Sequence, residues 1–157
     1  MPGIQYVLEP RPGLSRARNT GIRCSTGDII AFTDDDVEVH PDWLIRLQQN
    51  FDDPKVMTVT GLVLPAELET EAQLLFEKGL RYLNKGYRAK TFDTQFFEQM
   101  KPWGVPVWDV GAGANMAIRR KAFELVGDFD ERLGAGAAGG SEDSEFWYRV
   151  LAEGWIC

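Results

Sequence analysis

The stretch "IIAFTDDDVEVHPDW" (residues 29–43) runs apolar residues into three consecutive aspartates, Asp34, Asp35 and Asp36. Clustered carboxylates raise one another's pKa unless a counter-charge is near. A divalent cation supplies that charge. Hard oxygen donors suit Mg2+ or Mn2+, which bind one or two carboxylates together with substrate phosphates. Side chains alternate along an extended chain, so Asp34 and Asp36 share a side if the backbone stays extended. The plainer alternative is a turn of solvated aspartates ahead of a helix. The apolar strand before the cluster, and Pro41-Asp42-Trp43 after it, favour the metal-binding reading.

Charge is unevenly spread. Residues 1–27 hold Arg11, Arg16, Arg18 and Arg23 against Glu9 alone, whereas residues 28–53 hold eight acids against Arg46. These arginines can be salt-bridge partners of the acidic segment or share an anion and its metal with it. The net charge of -7 argues against a nucleic-acid partner. Ser141, Glu142 and Asp143 precede a helical pattern, where serine and acids suit a helix start. Trp103, Trp108 and Trp147 are expected in the core, with stacking on a ligand ring as the alternative. His40, the only histidine, is expected in a loop. Cys24 and Cys157 are too few and too far apart for a metal site or a disulfide framework, and two free thiols are expected.

The elements that must position these groups read as follows. "QYVLE" (5–9) is expected as a strand and "LSRARNTGIRCS" as a helix with a stripe of Leu14, Ala17, Gly21 and Ile22, ended by Gly27. "DIIAFT" is short and continuously apolar, the pattern of a strand covered on both faces, as in a parallel sheet. Pro41 opens a second helix, and "KVMTVTGLVL" is a third strand. Connections of ten or more residues imply parallel neighbours. An amphipathic helix follows over 67–88, with Leu74, Leu75, Leu80 and Leu83 as its stripe. "TFDTQFFEQMKPWGVP" is expected to be irregular. "VWDVGAGANMAIRR" reads as strand, glycine-rich turn and strand, then come a short helix closed by Gly127, a mobile "RLGAGAAGGS", a last helix, and "WIC" as the start of a strand. The longest apolar runs fall short of a membrane span. The opening "MPGIQYVLEPRPG" lacks the apolar run of a secretory signal. A cytoplasmic location, or one peripheral to the inner face of a membrane, is expected.

Four blocks in order and spacing, "GLSRARNTGI", "GDIIAFTDDDVEVHPDWL", "VGAGANMAIRRKAFELVGDFDE" and "GGSEDSEFWYRVLAEGW", together resemble those of the family 2 glycosyltransferases. A haloacid dehalogenase-type phosphatase, which also places paired aspartates after a strand, fits less well because Glu38 stands where that pattern has threonine or valine. The resemblance implies the GT-A fold: an α/β, Rossmann-like, mixed but mainly parallel sheet flanked by helices. It implies metal-dependent, inverting transfer of a sugar from a nucleotide-diphosphate sugar (UDP-, GDP- or dTDP-linked) to a saccharide or lipid-linked hydroxyl. Asp34 and Asp36 would be the metal carboxylates, Asp36 the preferred direct ligand, and Asp143 the general base. Arg16, Arg18, Asn19, Asp35, Gly113, Asn115 and Glu142 would lie on the donor side, with surface salt bridges the alternative for the arginines and a tight turn for Gly113 and Asn115. The family's opening nucleotide-binding strands have no counterpart here, and Glu145 replaces its second aspartate. Residues 1–157 are therefore expected to form one partial, truncated domain. An inactive binding or assembly module, self-associating through an exposed sheet edge, is the second expectation.

Overall fold

The computed structural model describes residues 3–79 and 88–157. Six α-helices and three β-strands are found there: α1 (Leu14–Cys24), β1 (Ile29–Thr33), α2 (Trp43–Gln48), β2 (Thr58–Thr60), α3 (Glu71–Gly79), α4 (Thr94–Met100), β3 (Asn115–Arg119), α5 (Arg120–Val126) and α6 (Glu142–Ala152). The fold class is mixed α/β.

The strands form one sheet in the order β1-β3-β2. β3 is antiparallel to both neighbours, with Ile29 opposite Arg119 and Thr33 opposite Asn115 on one side, and Thr58 opposite Ile118 on the other. The expected mainly parallel sheet is corrected by these pairings. β1 and β2 do run the same way, which their long connection permits, but β3 lies between them and runs opposite. Among the described residues a parallel contact exists only as an isolated bridge between Val56 and Ile156. That bridge places "WIC" beside the sheet, and Cys157 exchanges backbone hydrogen bonds of 2.9 and 3.0 Å with Phe92.

β3 is the structural centre. Met116, Ala117 and Ile118 are all fully buried. Met116 and Ile118 face a cluster containing Phe123, Phe129, Phe146 and Trp147, while Ala117 faces Leu47 and Phe51. This is the two-residue alternation of a strand with both faces covered. Continuous apolarity reports that covering and says nothing about strand direction, which is why it suggested a parallel sheet.

Other expectations change locally. Residues 5–9 make no strand, and Tyr6 and Leu8 are exposed. Val107–Asp109 is a 3-10 turn rather than a strand. The stretch expected to be irregular contains α4, started by Asp93, whose side chain accepts a hydrogen bond from the Phe96 N–H at 3.0 Å; an aspartate in that role is a standard helix start. α3 stops being described at Gly79, so Leu80 and Leu83 of the expected apolar stripe lie outside the described residues. α1 ends at Cys24 rather than at Gly27. Trp147 is buried, but Trp103 and Trp108 are exposed, contrary to the core reading for those two. Both cysteines are free. Among the described residues no helix is long and apolar enough to cross a membrane.

Candidate functional site

α1 is the spine of the site, and its inward face is polar. Its buried residues are Ser15, Arg18, Asn19 and Ile22, whereas Ala17 and Gly21 of the expected apolar stripe are exposed. Buried polar groups require partners, and each here has one. The Ser15 hydroxyl donates to the Leu133 carbonyl at 2.8 Å. The Asn19 amide donates to the Phe129 carbonyl at 2.9 Å and accepts from the Phe129 N–H at 3.0 Å. Arg18 Nη1 donates to Glu142 Oε1 at 2.7 Å, both side chains being only 7% exposed. Helical periodicity therefore found the helix and put Ile22 inside correctly, but did not show that polar Ser15, Arg18 and Asn19 share the buried face while Ala17 and Gly21 lie outside.

Four chain segments meet at Arg18. Its Nη2 lies 3.8 Å from Asp34 Oδ1, just past β1. Its guanidinium carbon sits 5.5 Å from the centre of the Phe129 ring, within cation-π range. Gly113, in the loop before β3, packs against it: a Cβ there would lie 2.7 Å from Arg18 Nη2 and 3.1 Å from Asp143 Oδ2. Only glycine lets the loop approach both groups. The Gly113 N–H then donates to Asp143 Oδ2 at 2.9 Å, and the Ser144 N–H donates to Asp143 Oδ1 at 2.6 Å. Both oxygens of Asp143 are thus fixed by backbone. Asp143 also lies in the first turn of α6 with Glu142 and Glu145, where the helix dipole favours negative charge.

Ser141 precedes α6 at φ 74° and makes no side-chain capping bond. A serine with positive φ is uncommon; it turns the chain sharply so that Glu142 reaches inward to Arg18. The glycine-rich segment before it, expected to be mobile, is tied to α1 at its front: the Leu14 N–H donates to the Ala135 carbonyl at 2.9 Å, and Gly134 is buried beside Ser15 and Glu142.

The aspartate cluster is built differently. Asp34 is half-buried against Arg18, while Asp35 and Asp36 are exposed and form a turn. The extended backbone ends at Thr33, so the alternation that would put Asp34 and Asp36 on one side does not apply. Among the described residues no three histidine, cysteine or carboxylate side chains gather to hold a metal ion by themselves. Exposed carboxylates such as Asp35 and Asp36 are the donor type that Mg2+ or Mn2+ takes when substrate phosphates complete its shell.

Asn115 is engaged on both ends of its amide. It accepts from Trp43 Nε1 at 2.9 Å and donates to the Leu62 carbonyl at 2.9 Å. Arg16 lies apart from Arg18, its Nε donating to Glu131 Oε2 at 3.2 Å. His40 is exposed and its Nδ1 accepts from the Asp42 N–H at 3.1 Å. Thr60 was not singled out by sequence, yet its hydroxyl donates to the Val110 carbonyl at 2.6 Å and leaves no room for a side chain at Gly111. A cavity of about 370 Å3 opens next to that contact, lined by Thr58, Thr60, Arg88, Lys90, Phe92 and Gly111, among others. Phe129 was likewise missed as a site residue, although it lies in "VGDFDE" at the end of the third motif block.

The family profile described as "Glycosyl transferase family 2" matches residues 1–127. The succinoglycan biosynthesis protein ExoM of Rhizobium meliloti is 31% identical over 144 residues, covering 92% of this chain and 41% of that protein. A glucosyl-dolichyl phosphate glucuronosyltransferase of Haloferax volcanii is 27% identical over 83% of this chain and 39% of its own length. A probable N-acetylgalactosaminyltransferase 8 of Caenorhabditis elegans is 28% identical over 95% of this chain and 34% of its own. The chain spans about two fifths or less of the length of these curated relatives.

Proposed function

The chain belongs to glycosyl transferase family 2, and from that premise we propose that it is the acceptor-side part of a GT-A-type inverting transferase. The reaction moves a sugar from a nucleotide-diphosphate sugar to an acceptor hydroxyl. The observation that carries this reading is the fixed carboxylate of Asp143, joined through Gly113 and Arg18 to Asp34.

The chemistry is a single displacement. The acceptor oxygen bonds to the anomeric carbon, the bond from that carbon to the diphosphate oxygen breaks, and its electron pair leaves with the diphosphate. The acceptor's proton goes to Asp143. Two backbone hydrogen bonds orient that carboxylate and leave lone pairs to accept the proton, so no reorganisation is needed at the moment of transfer. Asp34 and Asp36 would hold Mg2+ or Mn2+, with Asp35 beside the donor. Such an ion neutralises charge on a leaving diphosphate. Arg16, outside the buried cluster and one-third exposed, is better placed than Arg18 to meet a donor anion. The names of the Haloferax and Rhizobium relatives favour a lipid-linked saccharide or a growing polysaccharide as acceptor, handled at the cytoplasmic face of a membrane. The donor nucleotide is UDP, GDP or dTDP.

Sugar transfer or donor hydrolysis by the full-length protein with Mn2+ or Mg2+ tests this. Asp143→Asn is expected to lower kcat by roughly 10³, within the range for a lost general base. Activity equal to wild type in both Asp143→Asn and Asp36→Ala sinks the reading. A second reading, an inactive module that assembles through its sheet, is favoured by one observation: among the described residues β1 is an outer strand, and open edges pair with other chains, whereas the start of β2 is covered by Ile156. Metal-dependent binding of a nucleotide sugar by the 157-residue chain in calorimetry counts against it, and concentration-dependent dimerisation in sedimentation counts for it.

A further inference from the structure

We propose that Arg18 is a positioning residue, a clamp that holds the Asp34 carboxylate and the Asp143-bearing helix in fixed relation, rather than a contact to the donor. The inference rests on the reading of Asp34 and Asp143 as the two acidic ends of a transferase site.

Arginine near paired aspartates invites assignment to a phosphate. Its surroundings here are already crowded by protein groups. Arg18 is 8% exposed. One edge of the guanidinium is taken by Glu142 at 2.7 Å and another faces Asp34 at 3.8 Å. The Phe129 ring lies at 5.5 Å, and the Gly113 backbone is so close that a methyl group would fall 2.7 Å from Nη2. A diphosphate oxygen bonding to Nη1 would have to displace Glu142 and leave a buried carboxylate without its charge partner, which is strongly unfavourable, and one approaching Nη2 would meet the negative charge of Asp34 at 3.8 Å.

The same contacts give Arg18 a coupling role. Glu142 is the chain neighbour of Asp143, so its ion pair fixes the start of α6. Gly113, which packs on the guanidinium, donates the hydrogen bond that orients Asp143. Asp34 opens the aspartate turn. One side chain therefore sets the spacing between the group that receives the acceptor's proton and the turn that would meet the donor's diphosphate. Such spacing controls turnover steeply, since a misplacement of about 1 Å costs roughly 10² in rate.

Two measurements test the clamp, and only the second needs an active enzyme. In the isotope-labelled 157-residue chain, Arg18→Met and Arg18→Lys are compared with wild type by amide NMR. The clamp predicts that the Gly113 and Asp34 amide resonances, on separate segments, both move in either variant while those of α4 stay in place. Unmoved Gly113 and Asp34 resonances in a folded variant overturn it. If Arg18→Met does not fold, Arg18→Lys carries the comparison, and Gly113→Ala, which pushes on the guanidinium, is expected to move the Asp34 resonance from the other side. In the full-length protein, Arg18→Lys is expected to lower kcat by roughly 10² with the donor KM changed less than about threefold. A raised donor KM with kcat intact overturns the clamp and restores a donor contact. If the wild-type protein turns over no nucleotide sugar, the transferase reading fails, and the NMR comparison still decides the clamp.

Discussion

Asp143 and Asp36 stand at opposite ends of the candidate site, and their settings differ. Asp143 has both oxygens on backbone N–H groups, at 2.9 and 2.6 Å, and rests on a glycine that admits no side chain. Behind it, Arg18, Glu142, Ser15 and Asn19 are buried and paired. Asp36 lies in an exposed turn, and its side chain makes no hydrogen bond or ion pair with another described residue. The seam between α1 and α6 is organised by the protein itself. The aspartate turn has no such organisation from its neighbours among the described residues. Chemistry that needs a fixed proton acceptor belongs in the first setting, and cation and phosphate binding tolerates the second.

The largest way to break this contrast is through stability. Glu142→Ala removes the buried hydrogen-bonded partner of Arg18, leaving it, among the described residues, only the 3.8 Å ion pair with half-buried Asp34, and is expected to cost about 3–5 kcal/mol, measured by chemical denaturation of the chain. Asp36→Ala removes a solvated carboxylate and is expected to stay within about 0.5 kcal/mol of wild type. If Asp36→Ala proved as costly as Glu142→Ala, the aspartate turn would be part of the folded framework, and the contrast would fall.

Glycines separate the regions on a smaller scale. At Gly111 a Cβ would lie 2.4 Å from Thr60 Oγ1 and 2.5 Å from Thr60 Cβ, so Gly111→Ala forces the loop off β2. A cost of about 1–3 kcal/mol is expected, typical of overpacking. At Gly21, on the outer side of α1, a Cβ meets nothing within 4 Å and the backbone is helical. Gly21→Ala is expected to stabilise the chain by about 0.5–1 kcal/mol. Melting temperatures moving in opposite directions would confirm that the Gly111 loop is packed tightly on β2 while the Gly21 side of α1 is open; the same sign for both would refute it.

These positions also mark what the sequence made legible. α1, α2, α5 and α6 follow from periodicity and turn residues, and β1 and β3 from short apolar runs. The order β1-β3-β2 was not readable, because the pairing of strands separated by half the chain is a tertiary choice and apolarity carries no direction. The four motif blocks identified the residues that cluster, Arg18, Asp34, Gly113, Glu142 and Asp143. Their arrangement was hidden because a buried polar helix face has the same periodicity as an exposed one. Ser15, Arg18 and Asn19 are inside only because Leu133, Glu142 and Phe129, more than a hundred residues away, satisfy them. α4 was missed although its signal, Asp93 ahead of Thr94, was present.

The smallest expected effect sharpens the contrast between buried and exposed charge. Arg132 hydrogen-bonds Asp130 and lowers its carboxyl from 3.8 to about 2, and Arg11, followed by Thr20, does the same for Glu9, from 4.5 to about 2. Both folded values are depressed, so the stabilisation is fully present above the unfolded values and is lost as the pH falls from about 4.5 to about 2. Exposed pairs of this kind are screened by solvent and salt, so the loss should shrink at high ionic strength. Melting curves of wild type and Asp130→Asn are expected to converge as the pH drops through this window and to separate above it. The Glu142→Ala deficit should persist in high salt at neutral pH, because its partner is shielded from solvent. A deficit for Asp130→Asn that was unchanged by salt would place that pair in the same class as Arg18 and Glu142 and remove the distinction between the seam and the surface.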